Sequence, residues 1–369
     1  MAAADPLADT RFMALALSLG ARGLGRTWPN PAVGAVIVKD GVIIGRGWTQ
    51  PGGRPHAETE ALRRAGAAAR GATMYVTLEP CSHHGKTPPC ADAIIAAGLS
   101  RVVSALEDPN PKVAGQGHAR LRAHGIAVDV GIGADEARRA HVGHIRRIRD
   151  GRPHVMLKLA VSADGKAGLS GGRPVAITGE RARDRVHMMR AESDAILIGV
   201  GTALADDPQL TCRLPGMEER SPVRVVLDSK LTLPLMSRLV ETARETPVWV
   251  ITGPRAPAAA ENALLDRGVA VLRMDGAPHR LDVGKVLALL GERGITRLMV
   301  EGGPAVAASF VVADLVDEAV LLRSPKPIGA DGVPALDGAP LTALTQSSHL
   351  RPTGRETLGD DLVERYERV

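Results

Sequence analysis

The chain has 369 residues, 44% of them hydrophobic and 24% charged, with a net charge of +5. That length predicts two domains, each with enough core to fold without staples. Aromatic residues are only 2% and the basic residues are scattered, which argues against a surface that stacks single-stranded bases or a nucleic-acid tract.

A helix is expected over residues 8–22. AVGAVIVKDGVIIGRGW reads as a hairpin turning at Asp40-Gly41, a dipeptide that suits a tight turn. HAETEALRRAGAAA has helical spacing and MYVTLEP reads as a strand ending at a proline. ADAIIAAGL reads as a helix, and RVVSAL and IAVDVGI as strands. The charged stretch HIRRIRDGRP, residues 144–153, is punctuated by Asp150-Gly151 and Pro153. It predicts a boundary there, with domains at 1–148 and 149–369. The alternation then restarts. Strands are predicted at HVMLKLAV, DAILIGV, VRVVLD, PVWVIT, VAVLRM, RLMVEG and EAVLLR, and helices at ERARDRVHMMRAES, ENALLDRG and VGKVLALLGERG. Both halves are therefore α/β, without an internal repeat. No run approaches the roughly 18 apolar residues of a membrane span. MAAADPLADTRFM lacks the basic flank and apolar run of a signal peptide.

His56 and Glu58 stand two positions apart in PHAETEA, and Cys81 and Cys90 nine apart in CSHHGKTPPC. One histidine and two cysteines can hold zinc while water takes the fourth position, and a free carboxylate can move protons. That layout is what hydrolytic removal of an amine from a ring demands. His56 and Cys90 are expected at helix starts, where partial positive charge favours thiolate over thiol. Eight residues separate the cysteines, against two in the usual deaminase signature, so a plain nucleoside deaminase is not expected. Taken singly, a histidine is a packed or surface residue and a buried cysteine an inert hydrophobe, as Cys212 is expected to be. A structural zinc site would need a fourth protein ligand, which His83 or His84 could supply. The three cysteines make no disulfide framework, and zinc thiolates suit a reducing cytoplasm.

With these residues, TWPNPAVGAVIVKDG, PHAETEAL, TLEPCSHHGKTPPCADAIIAAG and DPNPKVAGQG closely resemble the bifunctional riboflavin-biosynthesis deaminase/reductase family of bacteria. KLAVSADGK, LADDPQLTCR and VEGGP resemble its reductase half. The resemblance implies a cytidine-deaminase-like α/β/α sandwich followed by a dihydrofolate-reductase-like α/β domain. It implies zinc-dependent removal of the 2-amino group from 2,5-diamino-6-(5-phosphoribosylamino)pyrimidin-4(3H)-one, then NADPH-dependent reduction of the ribosyl side chain to ribityl.

By position, the resemblance makes His56, Cys81 and Cys90 the zinc ligands and Glu58 the proton shuttle. Asn30, His83, Lys86, Asp108 and Asn110 would line the deaminase pocket. Read on their own, Asn30-Pro31, Asp108-Pro109 and Asn110-Pro111 are turn makers. In the second half, Ala160, Ala176, Thr202 and Asp206 would contact NADPH, as would Gly303, Pro304, Ala305, Val306, Ala307, Ala308 and Ser309. Lys158, Arg190, Leu210, Arg213 and Glu301 would contact the reductase substrate. VEGGP alone is a strand-to-helix turn that lets backbone amides approach a phosphate; it is not the dinucleotide fingerprint. The chain departs from the family at Thr49, where histidine is common, and at Pro174 and Ala176, where serine and tryptophan are common. The resemblance further implies phosphorylated pyrimidine substrates, no nucleic acid or membrane partner, a cytoplasmic setting, and a homo-oligomer, dimer or tetramer. Two other readings stay open: a zinc deaminase of tRNA or free nucleosides with an unrelated second domain, and a structural zinc module joined to a dinucleotide sensor.

Overall fold

The structure is a computed structural model that describes residues 5–83, 88–111, 113–172, 175–275 and 281–369. The chain divides into two compact units, Met1–Arg152 and Pro153–Val369.

The first unit runs α1 (Pro6–Ala21), β1 (Gly34–Lys39), β2 (Val42–Trp48), α2 (Ala57–Ala65), β3 (Thr73–Val76), α3 (Cys90–Ala97), β4 (Arg101–Ser104), α4 (Gln116–Ala123), β5 (Ala127–Val130), α5 (Ala134–Ala140) and α6 (Val142–Asp150). The β1–β2 hairpin turns at Asp40 and Gly41, both at positive φ (51° and 76°), the pairing a tight hairpin turn requires. The sheet order is β2-β1-β3-β4-β5, antiparallel through β1 and parallel from β3 onward. Alternation along β1 sends Ala35 and Ile37 to one face, with Ala57, Ala61, Ala91, Ile94 and Leu121 of α2, α3 and α4. It sends Val36 and Val38 to the other, with Phe12, Met13, Ala16 and Ala137 of α1 and α5. The result is the α/β/α sandwich, with its core made of small and branched aliphatic side chains.

The junction differs from expectation. Position 148/149 falls inside α6, and the division comes at Arg152/Pro153. Val142, Ile145 and Ile148 form a short apolar stripe at helical spacing, which the density of arginine conceals.

The second unit adds β6 (His154–Val161), β7 (Lys166–Leu169), α7 (Glu180–Ala191), β8 (Ala195–Gly199), α8 (Val200–Asp206), β9 (Val223–Leu227), α9 (Arg238–Glu241), β10 (Val248–Thr252), α10 (Ala258–Asp266), β11 (Ala270–Arg273), α11 (Val283–Glu292), β12 (Arg297–Val300), α12 (Pro304–Val312), β13 (Glu318–Arg323), β14 (Gly332–Pro334), α13 (Thr342–Thr345), β15 (Leu350–Leu358) and β16 (Asp361–Arg368). Its sheet order is β11-β10-β9-β8-β12-β6-β13-β16-β15, parallel as far as β13 and antiparallel beyond. The chain leaves β8 toward β9 on one side, while β12 pairs with β8 on the other. That reversal opens a crevice at the strands' carboxyl ends, where α/β sheets bind ligands. Along β6, Val155, Leu157, Leu159 and Val161 are buried, and Met156, Lys158 and Ala160 alternate with them. Lys158 and Ala160 therefore share one face.

Candidate active sites

The first site is assembled at helix starts. His56 is the N-cap of α2 and Cys90 the first residue of α3. Cys81 lies past the end of β3, in the segment Thr77–Cys81 that follows the strand. Two glycines let α2 come this close. A Cβ on Gly45 would stand 2.4 Å from the carbonyl oxygen of Ala61, and one on Gly47 2.2 Å from that of Ala57. Only glycine on β2 allows that approach.

His56 Nδ1 lies 3.3 Å from Cys90 Sγ and 3.7 Å from Cys81 Sγ. Tetrahedral zinc bonds of about 2.3 Å to sulfur and about 2.0–2.1 Å to nitrogen separate such ligands by roughly 3.6 Å. The three side chains therefore fit zinc, and their ligand atoms converge within 4.8 Å. The Cys90 backbone N–H donates to Cys81 Sγ at 3.3 Å. With the Cys90 thiol also donating, and His56 alongside, the Cys81 thiol is pulled down to about 4. Cys90 moves the other way, pushed up by its hydrogen bond to Cys81, by burial and by Glu58. Without a metal, negative charge on either cysteine works against negative charge on the other, and a dication at the centre would favour thiolate at both. Glu58, in the first turn of α2, is 4% exposed. Burial pushes its carboxyl up, and His56 partly offsets this.

The polar residues expected around this centre sit on loops attached to the ligand-bearing segments. Asn30 donates Nδ2 to the Gly53 carbonyl at 2.8 Å, three residues before His56. Asp108 accepts the Asn110 N–H at 2.8 Å, forming the turn its sequence predicts. Its backbone N–H donates to Glu79, two residues before Cys81. His144 Nε2 of α6 stands 3.5 Å from Asp108 Oδ1. Burial raises the Asp108 carboxyl, and the neighbouring His144 and the Asn110 N–H more than offset this, so it ends below its ordinary value. His83 is exposed. Lys86 and His84 lie outside the described residues, as does Pro174. Thr49 is buried, and its hydroxyl accepts the Val33 N–H at 3.0 Å, so the side chain is engaged with backbone. Glu79 lies within the TLEPC motif and His144 in the charged stretch, yet nothing local gives either a role, because their partners are 29 to 39 residues away.

The second site occupies the crevice beside β8 and β12. A cleft of about 500 Å3 is lined by Lys158, Ala160, Thr202, Asp206, Glu301 and Gly303 to Val306, among others. Gly199 caps α8, and Gly303 caps α12 with Pro304 in its first turn. Two helix N-termini thus face one crevice, an arrangement that favours a pyrophosphate. The Gly303 N–H donates to Thr202 Oγ1 at 2.9 Å, and a Cβ on Gly303 would stand 2.8 Å from that hydroxyl. The residues present fit a dinucleotide cofactor. Ala307 is fully buried, whereas Ala308 and Ser309 line an adjoining cavity of about 440 Å3 with Leu227 and Ser229.

A smaller pocket of about 240 Å3 shares Lys158, Ala160, Val175 and Glu301 with the cleft and adds Ala176, His187, Arg190 and Arg213. Arg190 closes its fork on Glu301 with two bonds of 3.0 Å and donates to the Thr211 carbonyl at 3.1 Å. Lys158 Nζ donates to Glu301 Oε1 at 3.1 Å. Burial pushes the Glu301 carboxyl up, but Arg190 and Lys158 together bring it down to about 2. Arg213 makes no ion pair among the described residues, and burial with the nearby Arg190 lowers its affinity for its proton. Leu210 has its side chain in the core and a φ of +57°. This strained backbone immediately precedes Thr211, whose carbonyl Arg190 and His187 both meet. A cavity of about 600 Å3 lies at the opposite strand ends, beside His154, Arg297 and Glu318. Two of the charges there are paired, His154 with Glu318 at 3.4 Å and Arg185 with Glu356 at 3.1 Å, and the glycine-lined crevice is elsewhere.

One histidine, two cysteines and a buried acid make the first unit a zinc-binding deaminase domain, and the second is an α/β reductase domain built around a dinucleotide crevice. Family models agree with both: the cytidine and deoxycytidylate deaminase zinc-binding region matches residues 7–106, and the RibD C-terminal domain matches residues 153–363. The riboflavin biosynthesis protein RibD of Escherichia coli is 41% identical, over 93% of this chain and 97% of that protein. The one from Aquifex aeolicus is 42% identical, over 98% of each. The Acinetobacter baumannii RibD structure superposes with a TM-score of 0.88 at 36% identity, covering 99% of this chain and 100% of that one. The Thermotoga maritima deaminase/reductase structure gives 0.85 at 37%, covering 99% of each. The chain belongs to the RibD family of riboflavin biosynthesis proteins. No helix among the described residues is long and apolar enough to cross a membrane.

Proposed function

We infer that the chain is a bifunctional deaminase/reductase that acts on 2,5-diamino-6-(5-phosphoribosylamino)pyrimidin-4(3H)-one and yields 5-amino-6-(5-phosphoribitylamino)uracil. The observation that carries this reading is the convergence of His56, Cys81 and Cys90 beside a buried Glu58, in a chain that also holds the glycine-lined crevice.

His56, Cys81 and Cys90 hold zinc, which when bound supplies an acidified water. Glu58 carries the two protons of the reacting water in turn, the first to the ring nitrogen and the second, from the hydroxyl left on the ring carbon, to the departing amine. Its burial keeps the proton affinity high enough for both transfers. The amine leaves as ammonia, and the water oxygen becomes the ring carbonyl. Asn30, Asp108 and Asn110 read the ring edge with His83 beside them, and the family resemblance assigns Lys86, outside the described residues, to the substrate phosphate.

In the second unit, NADPH supplies the hydride. Thr202 and Gly303 to Val306 seat its pyrophosphate at the two helix starts, with Ala160 and Asp206 along the crevice and Ala176 in the smaller pocket that adjoins it. Lys158 and Arg190 hold Glu301 ionised and fixed in the substrate pocket. Arg213 is open to the substrate phosphate, which a planar donor fork suits. Leu210 acts through its backbone, by setting the Thr211 carbonyl.

We also assign the enzyme to a reducing cytoplasm, which keeps Cys81 and Cys90 from oxidising, and to a homo-oligomer of two or four copies. Light scattering tests the latter. The activity test supplies the diaminopyrimidine to metal-replete protein, follows ammonia release, then adds NADPH and follows the loss of its absorbance. Absence of both signals would overturn the reading.

A further inference from the structure

Glu79 lies two residues before Cys81, with a fully buried side chain. It accepts four backbone N–H groups from one distant segment. Oε1 takes those of Gly117 at 2.8 Å and His118 at 3.2 Å, and Oε2 those of Gly115 at 2.9 Å and Asp108 at 3.1 Å. Gly115, the N-cap of α4, has no side chain to satisfy the first turn of that helix. Glu79 does this from 36 residues away. The fit is close on the other side too, since a Cβ on Gly117 would stand 2.1 Å from the Pro80 carbonyl oxygen and 3.1 Å from Glu79 Oε1. Glu79, Glu107 and His118 also group as metal-ligand types. Each Glu79 oxygen, however, already accepts two backbone N–H groups, which leaves the carboxylate little capacity for an ion. The group is a clasp and not a second metal centre.

We propose that Glu79 is a positioning residue for the deamination, holding the Asp108–Asn110 turn in register with the metal centre. The inference rests on the proposed function, because it needs Asp108 or Asn110 to meet the pyrimidine. The segment that ends in the metal ligand Cys81 carries the clasp, and the segment it clasps begins at Asp108. The turn's own bond, Asn110 N–H to Asp108 Oδ1, shapes it locally but does not locate it. Among the described residues, Glu79 ties both the turn and α4 to the Cys81 segment through one carboxylate, while Arg120 ties α4 alone, to the Ser82 carbonyl at 3.2 Å. An amide in its place would aim a donor at two backbone donors, and the turn would shift.

The test uses the full-length, zinc-loaded enzyme with the diaminopyrimidine substrate. Glu79→Gln is expected to keep its zinc and its rate of NADPH-dependent reduction of the deaminated intermediate. Its deaminase KM should rise by about ten- to a hundredfold, more than its kcat falls, the scale of loss that a misplacement of about 1 Å causes. Asp108→Asn should cost little more in the Glu79→Gln background, because the two act through one element. An unchanged KM in zinc-replete Glu79→Gln overturns the proposal, as does a full multiplicative loss in the double variant. If Glu79→Gln does not fold, Glu79→Asp keeps the charge and withdraws the carboxylate by one methylene. The same KM rise with zinc retained is then required. A wild-type enzyme without deaminase activity would instead overturn the proposed function.

Discussion

Glu58 is buried and Glu301 largely so, and their surroundings drive the two acids in opposite directions. Glu58 faces a thiol pair that carries negative charge, and burial pushes it up. Glu301 faces two cations that outweigh its burial, so it stays ionised. Glu58→Gln should keep stoichiometric zinc by metal analysis and lose deamination by about 10²- to 10⁴-fold, the usual weight of a proton carrier. Reduction should continue unchanged. Glu301 adds a pH dependence to stability. Its folded value of about 2 lies below the ordinary 4.5. Its contribution is therefore complete above about pH 4.5 and is lost as pH falls toward 2, on the order of 3 kcal/mol. Unfolding followed across that window should show a steeper acid loss in the wild type than in Glu301→Gln. His56, Glu58, Cys81 and Cys90 were legible in the sequence because their spacing is itself the chemistry. Glu79, His144 and the role of Thr49 were not, because each acts on a partner far away in the chain.

At the scale of elements, close approach decides where the chemistry sits. On β2, Gly47→Ala would press a Cβ against the Ala57 carbonyl, 2.2 Å away, and α2 would have to lift. Expected are a stability loss of about 1–3 kcal/mol in chemical denaturation and zinc affinity weakened by about tenfold or more in competition with a chelator. Gly303→Ala would displace the α12 start from Thr202. The KM for NADPH should rise by about tenfold, or roughly 1.4 kcal/mol, with deamination unaffected. The parallel strands were readable as apolar runs, as HVMLKLAV is in β6. The β15–β16 hairpin was not. β15 is almost wholly exposed, contains a proline and is rich in charge, so it lacks the apolar alternation that marks a half-buried strand. α6 escaped notice for a similar reason, its three apolar positions diluted by arginines.

In the molecule as a whole, two sites with unlike requirements share one chain. Removing zinc with a chelator should abolish ammonia release and leave NADPH oxidation with the deaminated intermediate intact, while added zinc should restore the first activity. Loss of both on chelation, with the chain still folded, would contradict separate sites. Periodicity and motif spacing are local properties of the chain, and they carry the α/β class of both halves, the family, and the His56, Cys81 and Cys90 group that the fold brings together. Tertiary structure alone decided that β8 and β12 would be neighbours and so create the crevice. It also closed Arg190 and Lys158 on Glu301, and gave the α4 N-terminus a cap from Glu79. Those outcomes depend on strand order and on buried polar groups finding partners 29 to 143 residues away. No local pattern encodes that pairing, because its driving force, satisfying charge and N–H groups removed from water, arises only once the core has formed.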